Sequence, residues 1–99
     1  MFTREKSLVD WGVRQEDIER LKDICRNATP KQKHDILNCC INACPKGIEH
    51  LVYESIVMSR SYDKIMKNKY IPIKRDDFYA YKRKSMAMFY NTLRKTREI

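Results

Sequence analysis

Apolar residues recur every three or four positions along most of this chain, the spacing that collects them on one face of a helix. Between residues 15 and 27 the set is Ile18, Leu21, Ile24 and Cys25, with Glu16 and Asp17 where the positive end of the helix dipole would lie. Thr29-Pro30 marks a second start, because threonine can cap free N–H groups and proline is tolerated in the first turn. Ile36, Leu37, Cys40, Ile41 and Cys44 form the predicted buried face of this helix, and Pro45 ends it. A third helix is predicted over 46–59 from Ile48, Leu51, Val52, Ser55, Ile56 and Ser59. A short fourth follows, capped by Ser59 or Ser61, with Tyr62, Ile65 and Met66 inward and Asn68 and Lys69 at its close. The residue before a proline is pushed out of helical conformation, so Ile71-Pro72 is predicted extended, with Ile71 and Ile73 plugging the angle to the next helix.

The fifth helix is the longest, running over 75–96. Asp76 and Asp77 lie in its first turn, and Phe78, Tyr81, Ser85, Phe89 and Leu93 step along its packed side with Met86 beside them. Lys74, Arg75, Tyr79, Lys82, Arg83 and Lys84 flank and oppose that side. Residues 1–14 carry Phe2, Leu8, Val9, Trp11 and Val13 without a sustained period. They read as a lead-in of at most one helical turn that lays Trp11 over the core and is broken by Gly12. Two glycines and three prolines leave few turn signals, so the expected fold is all-α: a single domain, 1–99, of about five helices. Residues 15–59 would form a helical platform and 61–96 a helix-turn-helix unit.

Composition narrows the class. An apolar share of 42% with 34% charged residues belongs to a globular chain, not a disordered one. No stretch approaches the roughly 18 apolar residues that cross a membrane, and the N-terminal segment lacks the apolar region of a signal peptide. The expected compartment is therefore the cytoplasm, where the four cysteines stay reduced.

The formal charge of +8 is one-sided. Residues 1–59 hold nine basic and nine acidic side chains, and residues 60–99 hold twelve and four, so the second part carries the whole excess. A basic segment of this kind is the footprint of a phosphate-binding surface, since each lysine or arginine near a phosphate releases condensed counterions. A solvated helix face is the plain alternative.

Other chemistry is thinly represented. Cys25, His34, Cys39, Cys40, Cys44 and His50 invite a zinc reading, yet structural zinc sites bring ligands in close pairs across turns, and no second pair exists here. Packing as small hydrophobes is the better expectation, with no metal and no cofactor. Asp76 and Asp77 are adjacent, hence about 100° apart on a helix, and do not converge as an acid–base pair. No glycine-rich phosphate loop is present, and no enzymatic activity is expected.

The residues left to carry function are Lys67, Lys69, Lys74, Arg75, Asp76, Tyr79, Lys82 and Arg83. In a helix-turn-helix the first turns of the second helix reach base edges. Arg75 suits a guanine, Asp76 a cytosine amino group, and Tyr79 a thymine methyl or a phosphate. Lys67, Lys69, Lys82 and Lys84 suit the DNA backbone. The run Phe78-Tyr79-Ala80-Tyr81-Lys82-Arg83, preceded by a helix and the turn Tyr70-Ile71-Pro72-Ile73-Lys74, resembles the C-terminal helix-turn-helix of phage-type and sigma-factor-like transcriptional regulators. The resemblance covers residues 61–96. It implies transcription regulation through duplex DNA bound by the helix that begins at Lys74, with a homodimer or an RNA polymerase partner. A rival of another class is a protein–protein adaptor, an anti-repressor or polymerase-binding factor, that uses the basic, Met- and aromatic-rich last helix. Met86, Met88, Phe89 and Tyr90 offer more apolar surface than one stripe needs. Either a partner interface or burial against the earlier helices accounts for that surplus.

Overall fold

Phe78, Phe89 and Leu93 recur at helical spacing with Tyr90 on the adjoining face, and this helix becomes the spine on which the others pack. The computed structural model describes residues 6–99, so Phe2 lies outside the described residues. Among those residues there are five α-helices and no strand: α1 (Ile18–Arg26), α2 (Pro30–Ala43), α3 (Glu49–Met58), α4 (Tyr62–Met66) and α5 (Arg75–Lys95). A 3-10 turn, Gln15–Asp17, leads into α1. The long helix α5 packs chiefly on α2 and then on α3, while α2 and α1 both lean on α3. No helix among the described residues is long and apolar enough to cross a membrane.

Local signals explain most boundaries. The Thr29 side chain accepts from the Gln32 backbone N–H at 3.2 Å, and the Gln32 side chain accepts from the Thr29 N–H at 2.9 Å, which completes a capping box at α2. The start of α3 comes three residues later than its apolar period suggests. Gly47 sits at φ +99°, outside helical space, and donates its N–H to the Glu49 carboxylate at 2.7 Å. The helix therefore begins only at Glu49. The lead-in is a set of turns rather than a helix, closed by Ser7 and Asp10 bonding each other, and Gly12 at φ +97° reverses it. Leu8 and Val13 reach the core, Trp11 packs partly against it, and Val9 is exposed.

The buried faces follow the predicted periods with corrections in α2 and α4 and at Ser59, which is exposed and caps α3 instead of joining its stripe. In α2 the core residues are Ile36, Cys39, Cys40 and Ala43, whereas Leu37 is half-buried and Ile41 is 52% exposed. Because α2 lies between α3 and α5, its inward face is rotated toward Cys39, leaving Ile41 at the outer edge. In α4 only Ile65 is buried. Met66 is 38% exposed, and its sulfur lies 3.3 Å from the Ile71 N–H, closing the connection instead of filling the core.

The apolar surplus of α5 is taken up within the chain. Met86, Phe89 and Tyr90 are buried and Met88 is half-buried. The Tyr90 hydroxyl donates to Asp17 at 2.6 Å, pinning the 3-10 turn to the spine. Burial and the Asp17 contact push the Tyr90 phenol above its usual range. The connection from α4 to α5 spans residues 67–74, longer than the three- to four-residue turn of a helix-turn-helix.

Phe78 is fully buried and stacks edge-on with Tyr62 at 5.4 Å and Tyr79 at 5.6 Å. Truncating such a phenylalanine costs roughly 3–5 kcal/mol. Phe78→Ala is therefore expected to lower the urea midpoint by that equivalent, and an unchanged midpoint would contradict the inward placement of this face.

Candidate functional site

The basic residues of the second half fall into an open group and a recessed group. Lys67, Lys69, Lys74, Arg75 and Asp76 are exposed, whereas Tyr79, Lys82 and Arg83 are half-buried. A helix period explains the split: positions 74–76 precede or open α5, where nothing covers it, while 79, 82 and 83 lie alongside the packed face.

In the open group, Lys67 closes α4 and Lys74 precedes α5 without forming a side-chain cap. Lysine has only donors to offer, so it cannot satisfy the free N–H groups there. The Arg75 guanidinium pairs with Asp63 and lies 5.7 Å from the centre of the Tyr62 ring. Lys69 donates to Glu54 at 2.7 Å, and Arg60 approaches the same carboxylate at 3.5 Å. These two cations, Lys69 first, hold the nearly buried Glu54 carboxyl below its usual range. One carboxylate thus serves two cations, and a positive charge remains.

In the recessed group, the Tyr79 hydroxyl accepts the Tyr62 backbone N–H at 2.9 Å, which ties the first residue of α4 to α5. The Tyr62 hydroxyl donates to the Ile73 carbonyl at 2.6 Å and fixes the far end of the connection. Arg83 donates from Nε to the Lys6 carbonyl at 2.8 Å. Lys82 points into a cleft of about 360 Å³ between α1, α3 and α5. Three further cations line that cleft: Lys22 and Arg26 from α1, and Arg60 from the α3–α4 connection. Hydroxyls of Ser59, Ser61 and Tyr79 share the rim, Ile56 and Met86 supply apolar wall, and no carboxylate of the described residues lines it.

No family model matches the chain, and no curated protein or solved structure matches it either. The functional reading accordingly rests on its own residues.

Lys82 is electrostatically the odd member. Lys22, Arg26 and Arg60 each have a carboxylate within 4 Å, in Glu19, Asp23 and Glu54, but no ion pair involves Lys82 among the described residues. Burial lowers the Lys82 pKa, and the Lys22 charge lowers it further. Its near neighbour Cys25 does not neutralise it, because burial pushes that thiol up to about 12 and keeps it protonated. The other cysteines are alike: Cys40 rises to about 12, Cys39 to about 11, and Cys44 also rises, each chiefly from desolvation. They pack as small hydrophobes.

The cations Lys22 and Arg26 carry no signal in the linear sequence, since residues 1–59 balance to zero charge. They join Lys82 only because α1 and α5 both lie against α3.

An ammonium whose folded pKa is depressed costs the fold stability at pH values below that folded pKa. The cost is relieved as pH rises from there toward the ordinary lysine value. Lys82→Met is accordingly expected to match or exceed the wild-type Tm near neutrality and to flatten the stability gain toward alkaline pH. Thermal melts from pH 7 to 10 check this, and a Tm several degrees lower at pH 7 would show that the ammonium is stabilising as it stands.

Proposed function

We propose that this protein binds duplex DNA, as a regulator of the phage or mobile-element type, through the open basic surface where α4 gives way to α5. The observation that carries the reading is the charge of residues 60–75: six lysines and arginines against one carboxylate, Asp63. Five of those six cations are exposed and Arg60 is half-buried. Such a surface draws a phosphate backbone by releasing its counterions.

Within that surface, Lys67, Lys69 and Lys74 serve the backbone, and the exposed first turn of α5 offers Arg75 and Asp76 to base edges. Arg75 must leave Asp63 to do so. An exposed ion pair is worth about 0–1 kcal/mol, so Asp63 holds Arg75 only weakly. Tyr79, with its hydroxyl already bonded to α4, acts by positioning that helix.

A protein adaptor is the second reading. Tyr70, 78% exposed, lies with Met66 and Pro72 along a shallow groove edged by Lys74 and Asp77, an apolar strip suited to an apolar partner segment.

Fluorescence anisotropy with random-sequence duplex DNA separates the two readings. DNA binding is expected to weaken steeply between about 50 and 200 mM salt. Lys74→Ala is expected to reduce the salt slope by about one, and Arg75→Ala to weaken binding several-fold, both at unchanged Tm. Absence of binding at low salt would overturn the DNA reading and leave the apolar strip as the docking element.

A further inference from the structure

The geometry points to the cleft between α1, α3 and α5 as a binding site for a small phosphomonoester of the nucleoside monophosphate class, its phosphate held by Lys82 with Lys22, Arg26 and Arg60. This site does not rest on the DNA reading proposed above, although Arg60 contributes to both.

Three observations converge on a discrete anion. Four cations from three separate parts of the chain line one concavity, and no carboxylate of the described residues lines it. Lys82, half-buried, is the one of the four without an ion pair among the described residues. A lysine free to choose extends its ammonium into water. Here the ammonium lies 5.8 Å from the centre of the Tyr79 ring on the cleft wall, where burial disfavours its charge. An oxyanion placed between Lys82 and Lys22 would relieve both the desolvation and the mutual repulsion. Lys22 and Arg26 are free to turn toward it, because their carboxylate partners sit one turn away on the exposed side of α1 and such pairs are weak.

Two further features indicate that the ligand is more than an inorganic ion. The cleft, at about 360 Å³, is larger than one phosphate needs and falls at the lower end of the range for small-molecule sites. Its walls also change character along their length. Ser59 and Ser61 can bond sugar or phosphate oxygens, whereas Ile56, Met86 and the Tyr79 ring present a surface for a flat apolar body. Ser59 itself adopts a left-handed conformation, φ +53°, which is uncommon outside glycine and bends the chain so that Arg60 and Ser61 reach the same rim.

The test is isothermal titration calorimetry of the full chain with each of the four nucleoside 5′-monophosphates, with the corresponding nucleosides, and with inorganic phosphate. At least one monophosphate is expected to bind tenfold or more tightly than its nucleoside and than phosphate. Lys82→Met is expected to reduce that affinity at least tenfold, and Arg26→Gln, on the exposed rim, severalfold. The Arg26 variant keeps the test decisive if the Lys82 variant folds poorly. Failure of all four monophosphates to bind at millimolar concentration would overturn the site. Equal affinity for inorganic phosphate would overturn the nucleotide class, and wild-type affinity in both variants would overturn the cation assignment. Duplex binding measured with Lys74→Ala is a separate readout, so failure here and failure of the DNA reading remain distinguishable.

Discussion

Burial of α5 between α2 and α3 is the constraint on which the rest of this structure depends. Phe78, Phe89, Tyr90 and Leu93 have no measurable exposure, and Ser85, Met86 and Ala87 close the gaps between them. A helix covered over so much of its length is left open chiefly at its first and last turns, where Arg75, Asp76, Arg94 and Lys95 are exposed. The position of every cation on it is then decided by packing. Lys74 and Arg75 come before the cover begins, whereas Lys82 and Arg83 emerge at its edge. The aromatic spine that stabilises the fold thereby also divides the basic residues into a surface and a cleft.

Periodicity is what made the architecture legible. Each of the five helices was visible as an apolar stripe, and the caps at Thr29-Pro30 and Ser61 marked starts that the backbone follows. The misses have specific causes. A one-residue rotation of α2 exchanges Ile41 for Cys39 in the core, and both fit a period of three or four equally well. The late start of α3 depends on the positive φ of Gly47, which the run of apolar residues does not reveal. The candidate site was legible only in part. The open cations stood out because they are adjacent in sequence, but Lys22, Arg26 and Lys82 are brought together by tertiary packing of α1 and α5 on α3. A segment with no net charge gave no reason to look for half of an anion site.

Charge and stability are at odds around Lys82. A well-packed methylene stem and a poorly solvated head share one side chain, and burial of the first enforces the discomfort of the second. Glu54 shows the opposite arrangement, a nearly buried carboxylate satisfied by Lys69 and Arg60. A buried carboxylate and a half-buried ammonium thus lie close to one connection, and among the described residues only the carboxylate has ion-pair partners.

The bond between the Tyr79 hydroxyl and the Tyr62 N–H has a consequence for communication across the molecule. A five-residue helix is too short to persist alone, so α4 keeps its shape and place through its anchors, of which this is one. Tyr79 is also part of the cleft wall. The same phenol therefore stands between an internal concavity and the external edge where α4 turns toward α5. Any occupant of the cleft that displaced this ring would thus also displace an anchor of α4, and the coupling free energy would be equal in both directions. One aromatic residue makes the inside and the outside of this small bundle mutually aware.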